Sequence, residues 1–501
     1  MVDGNKEELE LASYKVYARG LVASIRIVDR GEFVYGYDVS VQGIGEATKI
    51  LLFSLRPELL SLVPIDPSRI DDKEYELELT KKYTDASSLI INKSLPGTPE
   101  SVSKLLVAFI LNMMLGLGEL EVPLADDGLE EVAVNGPKDH VWVFHKKFGW
   151  CKTNIMLESE DMIYNDADAI GRKVGRQISN LVPMMDAELP DGSRVNATLY
   201  PISQSGNTIT IRKFAKNPWS MPALIKNKTV STKIASMIWL CVQNEISLLI
   251  SGGTASGKTS FLNALGCFMP ANRRVISVEE TRELTLPDFL QWIPMLTRQS
   301  NPEGKGQVQL YDLMINALRQ RPDILLVGEI RTKSDAETLF EAIHTGHAVY
   351  GTVHADSAND TIIRMTNPPL DIPKLLLNAI GSVATLFRHR RLGIRRILEF
   401  GEILQSGDVS ILERWDMRND SFSKISDMTR LASTISLYGG YTQKEIEEDV
   451  GQKSRILEWM VRKRVIDVND AGYVVATYYK DASRVAKAAE DDAPFDKKLF
   501  G

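Results

Sequence analysis

Cysteine is scarce in this chain. Cys151, Cys241 and Cys267 are the three among 501 residues, and no two stand in a Cys-x-x-Cys spacing. An odd, sparse set gives no disulfide framework and reads as small buried hydrophobes in a reduced intracellular protein. Long apolar runs are missing too. The longest, Leu105 to Gly118, is interrupted by Asn112. It falls short of the ~20 residues that cross a bilayer, so a buried helix is expected there. The opening residues, Met1 to Leu11, are acidic and polar, which is the wrong chemistry for a secretory leader. A soluble protein is therefore expected, with any membrane contact made through a partner or a surface patch. A basic excess is also lacking: Lys+Arg total 59 against 66 Asp+Glu, for a net charge of -7. That argues against a dedicated duplex-DNA binder, although a local basic channel stays open.

What is present is ordinary globular composition, 44% hydrophobic and 25% charged. Such a chain is not mainly disordered, and its length suggests roughly three to five domains or fewer large ones. No internal repeat is found. Residues 1–97 form a variable segment with β-like runs at Tyr14–Tyr17 and Leu21–Val28. A helix near Ala47–Leu55 should stop before Pro57. The breaker cluster Ser94-Leu95-Pro96-Gly97-Thr98-Pro99 marks a boundary. Residues 98–214 mix helix and strand: the apolar helix Val102–Leu117, β-like runs around Asn135-Gly136-Pro137, a helix near Ile170–Asn180, a turn at Pro190-Asp191-Gly192 and a strand at Thr208–Ile211. Residues 215–225, with Pro218 and Pro222, read as a linker. From 226 to 411 apolar strand-like runs alternate with helices, the pattern of a parallel α/β sheet. Residues 412–501 read as mostly helical, strand-like near Tyr473–Tyr479, with a mobile acidic tail around Glu490-Asp491-Asp492.

The strongest signal is Gly252-Gly253-Thr254-Ala255-Ser256-Gly257-Lys258-Thr259, a complete GxxxxGK[ST]. A buried strand at Ile246–Ile250 precedes it and a helix at Ser260–Phe268 follows, which is the context a phosphate loop requires. Glycines let successive backbone N–H groups converge on phosphate oxygens, and the helix start adds unpaired donors. Lys258 would bridge the β- and γ-phosphates of ATP, with Thr259 ligating Mg²⁺ and Ser260 beside it.

A second apolar run, Ile324–Val327, leads into Glu329 and Arg331. A carboxylate at such a strand end can hold Mg²⁺ through water or orient the attacking water. Phosphate-loop enzymes more often use Asp there. A third run, Arg274–Val278, ends in Glu279-Glu280-Thr281-Arg282-Glu283, and Glu279 and Glu283 are both candidates for polarising the nucleophilic water. Three of the six histidines, His344, His347 and His354, fall close together without completing a zinc set. His354 at a strand end would sense the γ-phosphate, with a hydrogen-bonded core role as the alternative for it and, more strongly, for His347. Arg319, Arg321 and Arg331 bracket the Glu329 strand and suit phosphate pairing, in a ring even on a neighbour's nucleotide. Taken singly, each is a surface ion-pair former.

In order, GGTASGKT, VEETRELTLP, ILLVGEIR and HTGHAVYGTVHA resemble the motif set of the secretion ATPase superfamily of type II and type IV systems. Upstream, EVAVNGPKDHVWVFH, ELPDGSRVNATLYP and TITIRKF resemble its N-terminal domain, and the resemblance runs from about Leu120 to Ile411. It is nearest the archaeal branch, which drives archaellum rotation and assembly or pilus assembly. The resemblance implies an α/β fold, a RecA-like P-loop ATPase core with an α+β N-terminal domain and a flexible linker. It implies a homohexamer that hydrolyses ATP with Mg²⁺, docked at the cytoplasmic face on a polytopic membrane platform protein, with accessory cytoplasmic motor proteins and no specific nucleic acid. By motif position Arg194 and Arg212 become nucleotide contacts. Glu279-Glu280 stands where relatives often carry Glu-Asp, which leaves the general base open. Competing readings are a type II/IV-like protein secretion ATPase, a RecA-like nucleic-acid translocase, and a non-enzymatic scaffold assembled by nucleotide. A faint winged-helix texture over Thr442–Tyr479 adds a minor DNA-binding reading.

Overall fold

The computed structural model describes residues 8–64, 73–214, 217–300, 304–389 and 391–497. Residues 1–7 of the acidic start and residues 215–216 of the expected linker lie outside them. The chain divides into two compact units, Met1–Lys216 and Asn217–Gly501.

The first unit opens with strands β1 (Leu9–Ala18), β2 (Leu21–Asp29) and β3 (Tyr35–Val41), then helices α1 (Glu46–Ser54), α2 (Arg56–Leu62), α3 (Lys73–Ser94), α4 (Glu100–Leu115) and α5 (Glu121–Ala125). Strands β4 (Leu129–Val134), β5 (His140–His145) and β6 (Gly149–Met156), helix α6 (Glu160–Lys173), and strands β7 (Met184–Glu188), β8 (Arg194–Thr198) and β9 (Thr208–Arg212) follow. The strands make one sheet in the order β1-β2-β3-β6-β5-β4-β9-β8-β7. Its pairs are antiparallel except β3–β6, where Tyr35, Gly36 and Tyr37 run alongside Cys151, Lys152 and Thr153. Strands of this sheet alternate buried and exposed residues, as β8 does, which is the period of a half-covered sheet.

Helix α1 stops at Ser54, and α2 takes Pro57 into its first turn, where a missing N–H costs nothing. Asn112, which broke the apolar run, sits buried within α4 and donates to the Ala108 carbonyl at 2.8 Å. The helix expected at Ile170–Asn180 is displaced. Helix α6 starts early because Ser159 caps it by accepting from the Met162 N–H at 3.2 Å and two acidic residues follow the cap. It ends at Lys173, where Gly175 turns left-handed at φ +64 and the Arg176 N–H returns to the Gly171 carbonyl at 2.8 Å. Residues 174–183 instead form turns closed by Ser179 and Val182.

The second unit contains α7 (Met221–Lys226), α8 (Thr232–Gln243), β10 (Leu248–Gly252), α9 (Lys258–Leu265), β11 (Arg274–Glu279), β12 (Gln291–Leu296), α10 (Leu310–Leu318), β13 (Ile324–Val327), α11 (Lys333–His344), β14 (Ala348–Val353), α12 (Ala358–Thr366) and β15 (Ser382–His389). Three more strands, β16 (Ile394–Ile403), β17 (Val409–Asp416) and β18 (Ser421–Lys424), precede the helices α13 (Arg430–Gly439), α14 (Gln443–Arg462), α15 (Val468–Lys480) and α16 (Ala482–Glu490). The sheet order is β12-β11-β13-β14-β10-β15-β16-β17-β18, parallel from β12 to β15 and antiparallel beyond. This is the expected α/β core, a sheet parallel through six strands with helices packed on it. Strands β10, β13 and β14 are buried at every residue, as expected of parallel strands covered on both faces.

The C-terminal region departs from expectation three times. Tyr473–Tyr479 is not a strand but part of α15. Asp467 caps that helix by accepting from the Asn469 and Asp470 N–H groups, and Val468, Ala471, Val474, Val475 and Tyr478 are buried at helical spacing. Packing overrode the β-propensity of the Val-Val and Tyr-Tyr pairs. A winged helix loses its wing: no strand follows β18 among the described residues. Nor is the acidic tail loose through Ala493. Asp492 pairs with Lys463 at 2.7 Å and Arg462 at 3.3 Å, and Trp459 Nε1 donates to the Ala493 carbonyl at 2.8 Å.

All three cysteines are free and buried. No single described helix is long and apolar enough to cross a membrane.

Candidate nucleotide site

The phosphate loop leaves β10 at Gly252 and enters α9 at Lys258. Gly252 has φ +155 and Gly257 φ +98. A Cβ on Gly252 would lie 2.6 Å from the Leu386 carbonyl oxygen and 2.4 Å from Ser256 Oγ. The backbone thus passes where no side chain fits. The Ser256 N–H turns back to the Gly253 carbonyl at 3.3 Å, and a glycine-rich path of this kind lets the other N–H groups converge on a ligand. Ala255 also takes a left-handed turn, φ +59. Ser256 is 1% exposed, and its hydroxyl has no partner in the structure.

Lys258 Nζ donates to the Gly252 carbonyl at 3.0 Å and the Gly253 carbonyl at 3.3 Å. Burial lowers the pKa of this ammonium, and the Arg331 guanidinium pushes the same way. The carboxylates of Glu329, Asp356 and Glu283 oppose that shift. These groups therefore gather around the lysine. They do so because β10, β11, β13 and β14 are parallel, so their C-terminal ends share one sheet edge, where ligands bind in open α/β folds.

Each strand end contributes something different. Glu329, just past β13, accepts from Arg331 Nε at 2.9 Å and Nη2 at 2.6 Å, while Arg331 Nη1 reaches Glu280 at 2.5 Å. Glu279 closes β11 and is 1% exposed. Its Oε1 accepts from the N–H groups of Glu283 at 2.9 Å and Leu284 at 3.0 Å, and its Oε2 has no partner. Burial pushes this carboxyl up to about 7, so near neutral pH it exchanges a proton readily. His354, just past β14, holds Thr254 through Nε2 and Oγ1 at 2.9 Å. Thr259 is half-buried and Ser260 exposed in the first turn of α9.

Four candidates lie at the far edge of the same sheet. Arg319 ends α10 and Arg321 follows it, ahead of β13, at the sheet edge opposite the loop. His344 and His347 precede β14 at that same far edge, where His347 Nδ1 lies 3.0 Å from the Ala342 carbonyl oxygen. Arg194 and Arg212 belong to the first unit, directly opposed on β8 and β9, and Arg194 pairs with Asp186 at 2.8 Å.

Two residues at the loop escaped the sequence reading. Asp356 crowds Gly253, whose Cβ would lie 2.8 Å from Asp356 Oδ1. Arg395 Nε donates to the Ala255 carbonyl at 3.1 Å. Asp356 stands two residues beyond His354, so a search outward from that motif finds it, whereas Arg395 lies in an arginine-rich run from Arg388 to Arg396 that carries no sign of the loop.

The site fits a nucleotide and Mg²⁺ in its donor chemistry: backbone N–H groups, one ammonium, one hydroxyl and carboxylates at strand ends. Among the described residues no group of three or more His, Cys, Asp or Glu forms a cage. Mg²⁺ does not need one, since it commonly binds through one or two protein oxygens, water and substrate phosphates.

Comparison with known proteins agrees in kind. The model of the type II/IV secretion system protein family matches residues 120–385, more than half of the chain. An uncharacterized protein of Methanocaldococcus jannaschii is 31% identical over 453 residues, covering 84% of this chain and 81% of its own. The type IV secretion system protein PtlH of Bordetella pertussis is 27% identical over 265 residues, 48% of this chain and 77% of its own. Among solved structures, the Legionella pneumophila ATPase DotB is similar at a TM-score of 0.41 and 17% identity, covering 74% of this chain and 94% of that one. Its score adds no weight to the sequence matches, which by themselves establish that the chain belongs to the type II/IV secretion system protein family.

Proposed function

We propose that this chain is an ATP hydrolase that works as a homohexamer to assemble or rotate an archaeal pilus-like filament, an archaellum or a pilus. The observation that carries the reading is the phosphate loop itself, with a half-buried Lys258 facing Glu329, Glu283 and Asp356. The long match to an archaeal relative supports the archaeal branch. On this reading residues 98–214 are the family's N-terminal domain, 215–225 the linker and 226–411 the ATPase core. Residues 1–97 and 412–501 are additions to it. The protein acts at the inner face of the cell membrane through a platform protein and accessory motor proteins.

In this mechanism Lys258 exchanges its two loop carbonyls for phosphate oxygens. The exchange is favourable because a triphosphate offers full charges where the loop offers dipoles. Thr259 and, through water, Glu329 would hold Mg²⁺, which supplies positive charge to the β- and γ-phosphates. Glu279 or Glu283 takes the proton of the attacking water. Glu279 has a free oxygen for it. Arg331 is kept in place by Glu329 and Glu280 and is set to answer charge developing nearby. His354, bonded to Thr254, registers movement of the loop.

The deciding experiment measures phosphate release by the purified full chain. Wild type should turn over ATP, and Lys258→Ala should lower the rate at least ~100-fold. Equal rates would leave only a nucleotide-assembled scaffold. Mass photometry should show hexamers that an ATP analogue strengthens. Co-purification with a filament platform protein separates the filament role from protein secretion, the role named for PtlH. The net charge of -7 weighs against a nucleic-acid translocase, and absence of DNA-stimulated turnover would confirm that.

A further inference from the structure

Strands β15 and β16 form a hairpin beside the phosphate loop. Strand β10 ends at Gly252, paired with Leu386 of β15. Strand β15 runs on through Phe387, Arg388 and His389, and β16 returns from Ile394. The hairpin therefore overhangs the same sheet edge as the loop.

Register fixes which side chains face the loop. A Cβ on Gly257 would lie 3.8 Å from Leu386 Cδ2, so Leu386 points toward the loop. Arg388 is two residues further and falls on the same face. Arg395 is directly opposite Arg388 across the antiparallel pair, on that face too. Contacts confirm it for Arg395: its Nε donates to the Ala255 carbonyl at 3.1 Å, and its Cδ lies 3.4 Å from a Cβ built on Gly257.

Two guanidiniums thus oppose each other on neighbouring strands, which is destabilising unless an anion lies between or beside them. No carboxylate of the described residues supplies it to Arg388, which has no hydrogen bond or ion pair there. Arg396, the next residue along, shows the contrast. It is buried and paired with Asp420 at 2.8 Å. The sequence spends an acid on Arg396 and none on Arg388, at the edge where a polyanion is expected.

We propose that Arg388 and Arg395 form a side wall of the nucleotide site and bind the polyphosphate of ATP or ADP from the hairpin side. Arg395 has a second duty, holding the left-handed turn at Ala255 so that the loop keeps its cradle shape. A planar guanidinium suits both tasks because it presents several donors in a fixed fork. The inference rests on the nucleotide-binding reading above and adds two residues to it.

The test titrates the full chain with the fluorescent nucleotide methylanthraniloyl-ATP at several salt concentrations. Wild-type binding is the control: if wild type does not bind, the nucleotide reading itself fails. Given wild-type binding, Arg388→Ala and Arg395→Ala should each weaken it about tenfold, the size of a lost charged hydrogen bond. Both should also flatten the salt dependence, since a phosphate contact is gone. Arg395→Lys should recover part of the affinity. Affinity and salt slope unchanged within twofold in Arg388→Ala would overturn the proposal. So would an Arg395→Ala loss that comes with a lower melting temperature of the free protein and an unaltered salt slope, because Arg395 would then only brace the loop.

Discussion

The two sheets of this protein solve burial differently. In the first unit, antiparallel strands such as β8 and β9 bury every second residue. In the second, β10, β13 and β14 bury all of theirs. The difference shows where chemistry can be placed. A half-covered strand can carry polar groups along its length. A fully covered strand has room for charged groups only at its ends, and there Glu279 and Glu329 stand, with His354 beside them.

The contrast can be tested at graded cost. Leu326→Ala, in the middle of β13, should destabilise by about 2–5 kcal/mol, read as a lower urea midpoint, because both faces of that strand are packed. A loss under about 0.5 kcal/mol would mean the parallel sheet is looser than its burial indicates. Glu329→Gln, at the end of the same strand, should leave methylanthraniloyl-ATP binding intact and slow phosphate release ~100-fold, about 2.7 kcal/mol on the barrier. Normal turnover would remove Glu329 from the mechanism.

Glu279→Gln should act on stability with a defined sign. Burial raises the folded carboxyl from 4.5 to about 7, so the folded state binds the extra proton. Its contribution is fully present below pH 4.5 and is lost as the pH rises through about 7. The melting temperature of Glu279→Gln should therefore gain on wild type between pH 5 and pH 8, by an amount corresponding to ~1–3 kcal/mol. A constant difference across that range would contradict the buried-acid reading. The smallest effect belongs to the first sheet. Asn196 faces outward on β8, and Asn196→Ala should shift the urea midpoint by less than ~0.5 kcal/mol.

Much of this was legible in the residues themselves. The α/β core, the phosphate loop and the order of strand-end acids follow from apolar runs and turn residues. Two kinds of feature were not. Helix α15 is built from residues that favour strands, and only burial against neighbours makes Val474, Val475 and Tyr478 helical. Arg395 reaches the loop across 140 residues of chain, through a register no local pattern reveals. Asp467 before α15 and Ser159 before α6 were readable cap signals that hydrophobic pattern alone passed over.

The join between β3 and β6 bears on how far the polypeptide can be trimmed. Asp126 Oδ2 accepts from the hydroxyls of Tyr14 and Tyr37, each at 2.7 Å, and β3 shields the flank of β6. A shortened chain beginning at the Ser94–Pro99 breakers would bare that flank and strand a buried acid without its two donors. Such a fragment would invite strand-to-strand self-association, so residues 8–41 are part of the same folded sheet as residues 129–212 even though the family match begins only at residue 120.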